Sequence, residues 1–190
     1  MLRQYVQLIG VLFILLLAIF QKSARGITSV GIEPIVGYER TQLLVPNSHT
    51  KDRLVYGARA TYGFSFLSAE AEYLHGNSSE SFPAQNLSTK DGSDKLKVGL
   101  RSGIDILSLI NLYVRAGCQA NQNQHEETSS GVTTVTKQAV KYHPYGGAGL
   151  RLRFGRNLKA TADLTTVFRD FPNMNNNDYQ LTAGFVVQVP

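Results

Sequence analysis

Beyond residue 27 the chain alternates apolar and polar positions with a period of two, and no apolar stripe of helical spacing persists for a useful length. Near the C-terminus Tyr179, Leu181, Ala183, Phe185, Val187 and Val189 fall on one face, with Gln180, Thr182, Gly184 and Gln188 on the other. The segment before it repeats the pattern, with Leu158, Ala160, Ala162, Leu164 and Phe168 against Lys159, Thr161, Asp163, Thr165 and Arg169. Successive side chains of a strand point to opposite faces, so each such segment predicts a strand with one apolar and one charged face. Eight segments follow this rule, at 30–41, 53–62, 66–75, 95–104, 107–119, 139–154, 157–171 and 178–189, separated by clusters of Gly, Asn, Asp and Ser. The chain is predicted to be all-β.

Segment lengths and connections narrow the architecture. The strands reach the roughly 9 to 11 residues that a tilted strand needs to cross a bilayer, against about 5 to 6 in soluble sheets. Connections alternate between tight turns at 63–65, 105–106 and 155–156 and longer polar stretches at 42–52, 76–94, 120–138 and 172–177. Short turns at one end and long loops at the other predict an eight-stranded antiparallel up-and-down β-barrel of the transmembrane kind.

Alternation alone leaves open which face looks inward. A soluble barrel of the lipocalin kind would bury the apolar face around an apolar ligand, whereas a membrane barrel turns that face to lipid. Three features favour the membrane. Tyr38, Tyr56, Tyr73, Tyr142, Phe168 and Tyr179 gather toward the long-loop end, with Tyr62 and Phe154 near the turns, as aromatic girdles require. On the polar face Glu33, Glu39, Glu70, Glu72 and Asp163 lie at depths that match Arg59, Lys97, Arg101, Arg115, Arg151, Arg153 and Lys159, and glycines at 31, 37, 57, 99, 117, 147, 149 and 184 make room for those side chains in a narrow lumen. The chain has no Trp, so the Gly-x-Trp signature of lipocalins is absent.

Composition adds boundaries. Arg3 precedes an apolar run from Val6 to Phe20, and Ala24 and Gly26 place small residues before a cut ahead of Ile27, which predicts a signal peptide over 1–26 and a single domain over 27–190. The apolar run falls short of the roughly 20 residues of a spanning helix. Loss of Arg3, Lys22 and Arg25 lowers the formal charge of +5 by three, and no cluster of five or more Lys/Arg residues remains, so a nucleic-acid partner is excluded. One cysteine, Cys118, cannot staple the fold, and His49, His75, His125 and His143 have no metal-ligand spacing. Cys118 shares parity with Leu112, Val114 and Ala116, which places it on the apolar face. No cofactor, metal or catalytic residue is predicted. The sequons at Asn77 and Asn86 read as ordinary loop residues.

The strand and loop alternation, together with the terminal strand Tyr179-Gln180-Leu181-Thr182-Ala183-Gly184-Phe185-Val186-Val187-Gln188-Val189, resembles the eight-stranded outer-membrane β-barrel family of the OmpX, Ail and OmpA transmembrane-domain type. The resemblance covers the whole of 27–190 and implies a bacterial outer-membrane location, with outer-membrane lipid and lipopolysaccharide around the barrel. It also implies a plugged lumen and recognition of the last strand by the outer-membrane assembly machinery, although this chain ends Val189-Pro190 where family members commonly end on an aromatic residue. The family pattern implies structural or adhesin- and receptor-like roles through the loops, here 77–93 and 121–136, which are rich in Ser, Thr, Asn and Gln and read as flexible and solvated. A peptidoglycan-binding domain after the eighth strand, as in OmpA-like proteins, is not expected. A lipid-modifying enzyme is the further alternative, with His143 and His75 as the residues to consider, though neither sits in a recognisable Ser/His/acid set.

Overall fold

The computed structural model describes residues 29–43, 49–64, 66–82, 87–129, 132–155, 158–169 and 176–189. The expected signal segment 1–26 lies outside the described residues. Among the described residues nine strands appear in chain order: β1 (Ser29–Leu43), β2 (His49–Gly63), β3 (Leu67–Phe82), β4 (Leu87–Leu107), β5 (Ile110–Ser129), β6 (Val132–Lys137), β7 (Lys141–Arg153), β8 (Leu158–Val167) and β9 (Asp178–Val189).

All pairings are antiparallel. β1 pairs with β9 as well as β2, and β4 pairs with β5 as well as β3, so eight strands close on themselves and β6 hangs on β5 as an extra strand. Closure removes the free edges a sheet of this length would otherwise expose. Between neighbours the register holds without slippage, except for a local irregularity between Asp105 and Leu107 before the turn at Ser108 and Leu109. That turn falls beyond the expected 105–106, because β4 runs on through the bulge.

The wall is apolar outside and polar within. Ile32, Val36, Leu54, Val98, Leu100, Val114, Leu164, Leu181 and Phe185 are all exposed outward. Their strand neighbours Glu33, Arg59, Glu70, Glu72, Lys97, Arg101, Arg115, Thr161, Asp163 and Thr182 are buried within. A protein in water would have to bury that contiguous apolar band, which exceeds the few hundred Å² tolerated on a soluble surface. The lipocalin-like arrangement is therefore ruled out by the direction of the side chains. Along β4 the band from Leu96 to Ile106 would stand roughly 25 Å tall at a strand tilt of about 40°, the height of a hydrocarbon core.

The outer connections differ from expectation. Residues 77–93 and 121–136, read as flexible loops, are mostly strand: β3 and β4 stay paired from Leu67↔Ser102 to Phe82↔Leu87, and β4 and β5 up to Leu87↔Ser129. Pairing of β2 with β3 ends at Leu54↔Asn77, and of β5 with β7 at Asn121↔Lys141. Past those points β3, β4, β5 and β6 continue as a four-stranded sheet beyond the barrel wall, while β1 and β2 stay paired with each other as far as Leu43↔His49. Its backbone ladder, which is blind to side-chain type, holds Ser- and Thr-rich sequence that carries no apolar alternation.

Candidate functional site

Lumen-facing positions bring charges from almost every strand to one level. Arg59 on β2 donates through Nε to Glu72 at 2.6 Å, through Nη1 to Glu33 at 3.1 Å, and through Nη1 and Nη2 to Asp163 at 3.0 and 3.2 Å. Arg115 on β5 reaches Glu70 at 2.8 Å, Asp163 at 2.8 Å and Glu72 at 2.7 Å. Lys97 on β4 bonds Glu72 at 2.6 Å and also Gln180 on β9. Two phenols complete the set, with Tyr145 donating to Glu70 at 2.7 Å and Tyr113 to Asp163 at 3.1 Å. Each guanidinium thus fills its fork with carboxylate oxygens, the arrangement that offsets the desolvation of buried charge.

The glycines of this face serve the same packing. A Cβ at Gly99 would stand 2.3 Å from the Tyr145 hydroxyl and 2.3 Å from the Ala116 carbonyl. At Gly149 a Cβ would meet Tyr113 Cζ at 2.6 Å. The phenols lie across strand positions that have no side chain of their own.

A second cluster lies nearer the outer mouth. Glu39 accepts from Arg53, from Lys95 and from Gln180 Nε2 at 2.6 Å, and Arg169 meets Asp178 at 3.2 Å. Among the residues expected to share the lumen network, Glu33, Glu39, Arg59, Glu70, Glu72, Lys97, Arg101, Arg115 and Asp163 are buried there. Arg151 faces inward with its Cζ 5.6 Å from the Tyr113 ring. Arg153 does not join: its side chain is 42% exposed and its nearest carboxylate, Asp105, is 3.9 Å away. β7 ends at Arg153, so parity points inward but the barrel has already opened to water. Sequence analysis missed Arg53, Lys95, Tyr113, Tyr145 and Gln180 as members, although each shares the parity of a residue already assigned inward.

On the outside, Tyr38, Tyr56, Tyr73, Tyr142 and Tyr179 are exposed near the outer end of the barrel, and Cys118 is exposed below them as its parity predicts. Just above, His75 bonds Asp94 through Nδ1 at 2.7 Å, the Tyr73 hydroxyl donates to the same oxygen at 2.6 Å, and the Tyr56 ring meets the imidazole edge-on at 5.5 Å. The imidazole is thus engaged by the Asp94 carboxylate and the Tyr56 ring, and Tyr73 shares that carboxylate. His143 lies on the inward parity at the outer mouth, opposite Gln119.

The outer sheet carries its own contacts. Asp91 on β4 binds both Lys51 on β2 and His125 on β5, tying the sheet to the rim. Burial pushes the Asp91 carboxyl up, but hydrogen bonds from Lys51 and His125 outweigh it and hold the group below the ordinary value. On the opposite face a polar hollow of ≈ 440 Å³ opens around Gly92, walled by His75, Asn77, Lys90, Asp94, Gln124 and Glu126. Among the described residues no group of three or more His, Cys, Asp or Glu is placed to hold a metal ion.

Comparison with known proteins agrees with this geometry. The family model for the outer membrane protein beta-barrel domain matches residues 9–186. No curated protein sequence matches the chain. The crystal structure of Ail, the attachment invasion locus protein of Yersinia pestis, in complex with the heparin analogue sucrose octasulfate superposes with a TM-score of 0.59 at 13% identity, covering 85% of this chain and 99% of that one. The N-terminal β-barrel domain of Pseudomonas aeruginosa OprF gives 0.55 at 15% identity, covering 86% and 99%. Neisserial surface protein A gives 0.54 at 14% identity, covering 84% and 96%. At such identities the likeness to these structures is one of fold. With an apolar outer wall, a charged lumen and a family match over nearly its whole length, the chain belongs to the outer membrane protein β-barrel domain family and resides in the bacterial outer membrane.

Proposed function

We propose that this protein is a non-enzymatic surface protein, a closed barrel that anchors a four-stranded β-sheet outside the membrane for contact with a partner while its wall contributes to envelope structure. One observation carries the proposal. The lumen is filled by paired side chains, while β3, β4, β5 and β6 continue past the last barrel pairings at Asn77 and Asn121. Eight strands enclose a space that side chains just fill, which argues against a diffusion pore. A rigid scaffold carrying extended segments is the usual arrangement for recognition. The lumen network serves stability, and the terminal strand 179–189 serves as the signal read during assembly.

The structure of Ail with a heparin analogue makes a sulfated saccharide the first partner to test. The outer sheet here is of mixed sign, with Lys90 and Lys137 among Asp91, Asp94, Glu126 and Glu127. A polyanion site uses clustered cations, so a partner of mixed polarity suits this surface better. Replacing 77–93 and 121–136 by two-residue turns tests the assignment in bacteria that display the protein. The shortened barrel is expected to stay in the outer-membrane fraction with heat-dependent electrophoretic mobility, while adherence to host-cell monolayers falls to background and immobilised heparin retains neither form. Unchanged adherence would refute a role for the sheet in recognition.

A further inference from the structure

Gly92 is the centre of a three-by-three grid on the outward face of the outer sheet. Asn77 on β3 pairs with Gly92, and Gly92 pairs with Gln124 on β5. Two residues nearer the membrane the row is His75, Asp94 and Gln122, and two residues farther out it is Ser79, Lys90 and Glu126. All eight surrounding positions are polar, and the centre has no side chain. With strands about 4.8 Å apart and alternate residues about 6.7 Å apart, the ring spans roughly 10 by 13 Å.

The packing of the protein does not call for this glycine. In the lumen a Cβ at Gly57 would stand 1.9 Å from the Tyr73 carbonyl oxygen, and one at Gly117 would stand 2.2 Å from that of Val98. A Cβ at Gly92 would meet one atom within 4 Å, Asn77 Oδ1 at 3.7 Å, which is an ordinary contact. Its backbone does not need glycine either, since its φ is not positive, unlike that of Gly63. Glycine weakens a strand interior, and where neither packing nor backbone requires it the space serves the close approach of a second molecule.

The lining selects the class of that molecule. The hollow over Gly92 measures ≈ 440 Å³, inside the range of roughly 300–1,000 Å³ that small-ligand sites occupy. No large apolar side chain lines it, so hydrocarbon gains nothing there. Lys90 and, beside Gln124, Lys137 answer Asp94 and Glu126, so neither an anion nor a cation meets a field of one sign. Among the described residues the side chains of Asn77, Lys90, Gln124 and Glu126 make no hydrogen bond, and His75 and Asp94 meet through Nδ1 and Oδ1 only. Donors and acceptors thus stand mixed and unspent around the ring, and a hydroxyl, which both donates and accepts, matches either kind.

We propose that this hollow is a binding site for a neutral saccharide, seated over Gly92 with Asn77 and Gln124 on either side and Asp94, Lys90 and Glu126 at its ends. The site rests on the recognition role of the outer sheet and gives it a ligand class.

Saturation-transfer NMR on the folded protein in a sugar-free detergent tests the site, with lactose, maltotriose, mannobiose and dephosphorylated lipopolysaccharide core oligosaccharide as probes. Transfer to at least one of them is expected. Transfer confined to the core oligosaccharide would put the source in the bacterium's own outer leaflet, and transfer to the others a source outside it. Absence of transfer to all of them would overturn the site, and equal transfer to a sulfated heparin disaccharide would overturn the neutral class. Gly92→Thr, which fills the centre of the grid, is expected to lose the transfer while its urea midpoint of unfolding holds or rises. Transfer equal to that of the unaltered protein would overturn the site. A midpoint that falls would assign the glycine to the fold, and Gln124→Ala would then decide by the same loss or retention of transfer. If no probe responds while adherence still depends on 77–93 and 121–136, the saccharide is refuted and the recognition role of the sheet stands; that role fails only if the shortened barrel adheres.

Discussion

Glu72 and Asp91 are both carboxylates on the inner side of the sheet, each held by more than one cation, yet they live in different solvents. Glu72 sits at barrel level with no exposed side-chain surface and bonds Arg59, Lys97 and Arg115. Asp91 sits in the outer sheet with 27% of its side chain exposed and bonds Lys51 and His125. Water screens the second set and is excluded from the first, so the same chemistry fixes the barrel and merely steadies the sheet. A fold that places its irreplaceable contacts in the lumen leaves the outer strands free to change sequence while the backbone ladder persists.

The largest effect should come from breaking the lumen. Glu72→Ala leaves three buried cations short of one carboxylate, and removal of one partner from such a network costs about 3–5 kcal/mol. Equilibrium unfolding in urea from lipid vesicles would measure it. The matching change at the exposed Arg40–Asp52 pair, Asp52→Ala, should stay below about 1 kcal/mol. Similar losses at both sites would remove the distinction between the two regions.

A smaller but still large effect should follow from charging the outer wall. Leu100 on β4 is 58% exposed, lies opposite Ala116 and Ala69, and falls midway along the apolar band. Leu100→Arg puts a cation near the bilayer midplane, at about 2–4 kcal/mol. Thr134→Arg on β6, exposed to water, should change stability by no more than about 0.5 kcal/mol. The pair measures where lipid ends and solvent begins, and equal tolerance would contradict the membrane level drawn by the tyrosines.

The same boundary explains what the sequence disclosed. At membrane level one face meets lipid and the other a polar lumen, so parity is written into every residue pair: spacing puts Glu33, Arg59, Glu70 and Arg115 on one face, and the aromatic girdles and matched charges turn that face inward. Tyr113 and Tyr145 share that parity but were passed over, because their service is a hydroxyl aimed at a carboxylate, a contact between distant strands that no local pattern records. Above the membrane both faces of the sheet meet water. Alternation then vanishes from 77–94 and 121–137 although backbone pairing continues, and strands that carry no apolar period read as loops. Arg153 shows the converse failure, since its parity persists one residue past the point where the lumen opens.

The outer sheet itself offers the finest test of how loosely it is tied. The Asp91 carboxyl is held below its ordinary value of 3.8 in the folded protein by Lys51 and His125, against the opposing pull of burial. A depressed carboxyl contributes stability that is full above the unfolded value and is lost as pH falls through the folded one. Acidification from pH 5 to below 3.8 should therefore loosen the join between β2 and the outer sheet while the barrel stays closed. Amide hydrogen exchange at residues 121–129 should accelerate over that window, corrected for intrinsic rates, with 110–119 unaffected. In Asp91→Asn the acceleration should be present already at pH 5 and change little below it. The expected size is about 1 kcal/mol or less, because the group is partly hydrated. Exchange that rises together in 110–119 and 121–129 would mean that sheet and barrel open as one unit, and the two regions would then differ in sequence tolerance but not in stability.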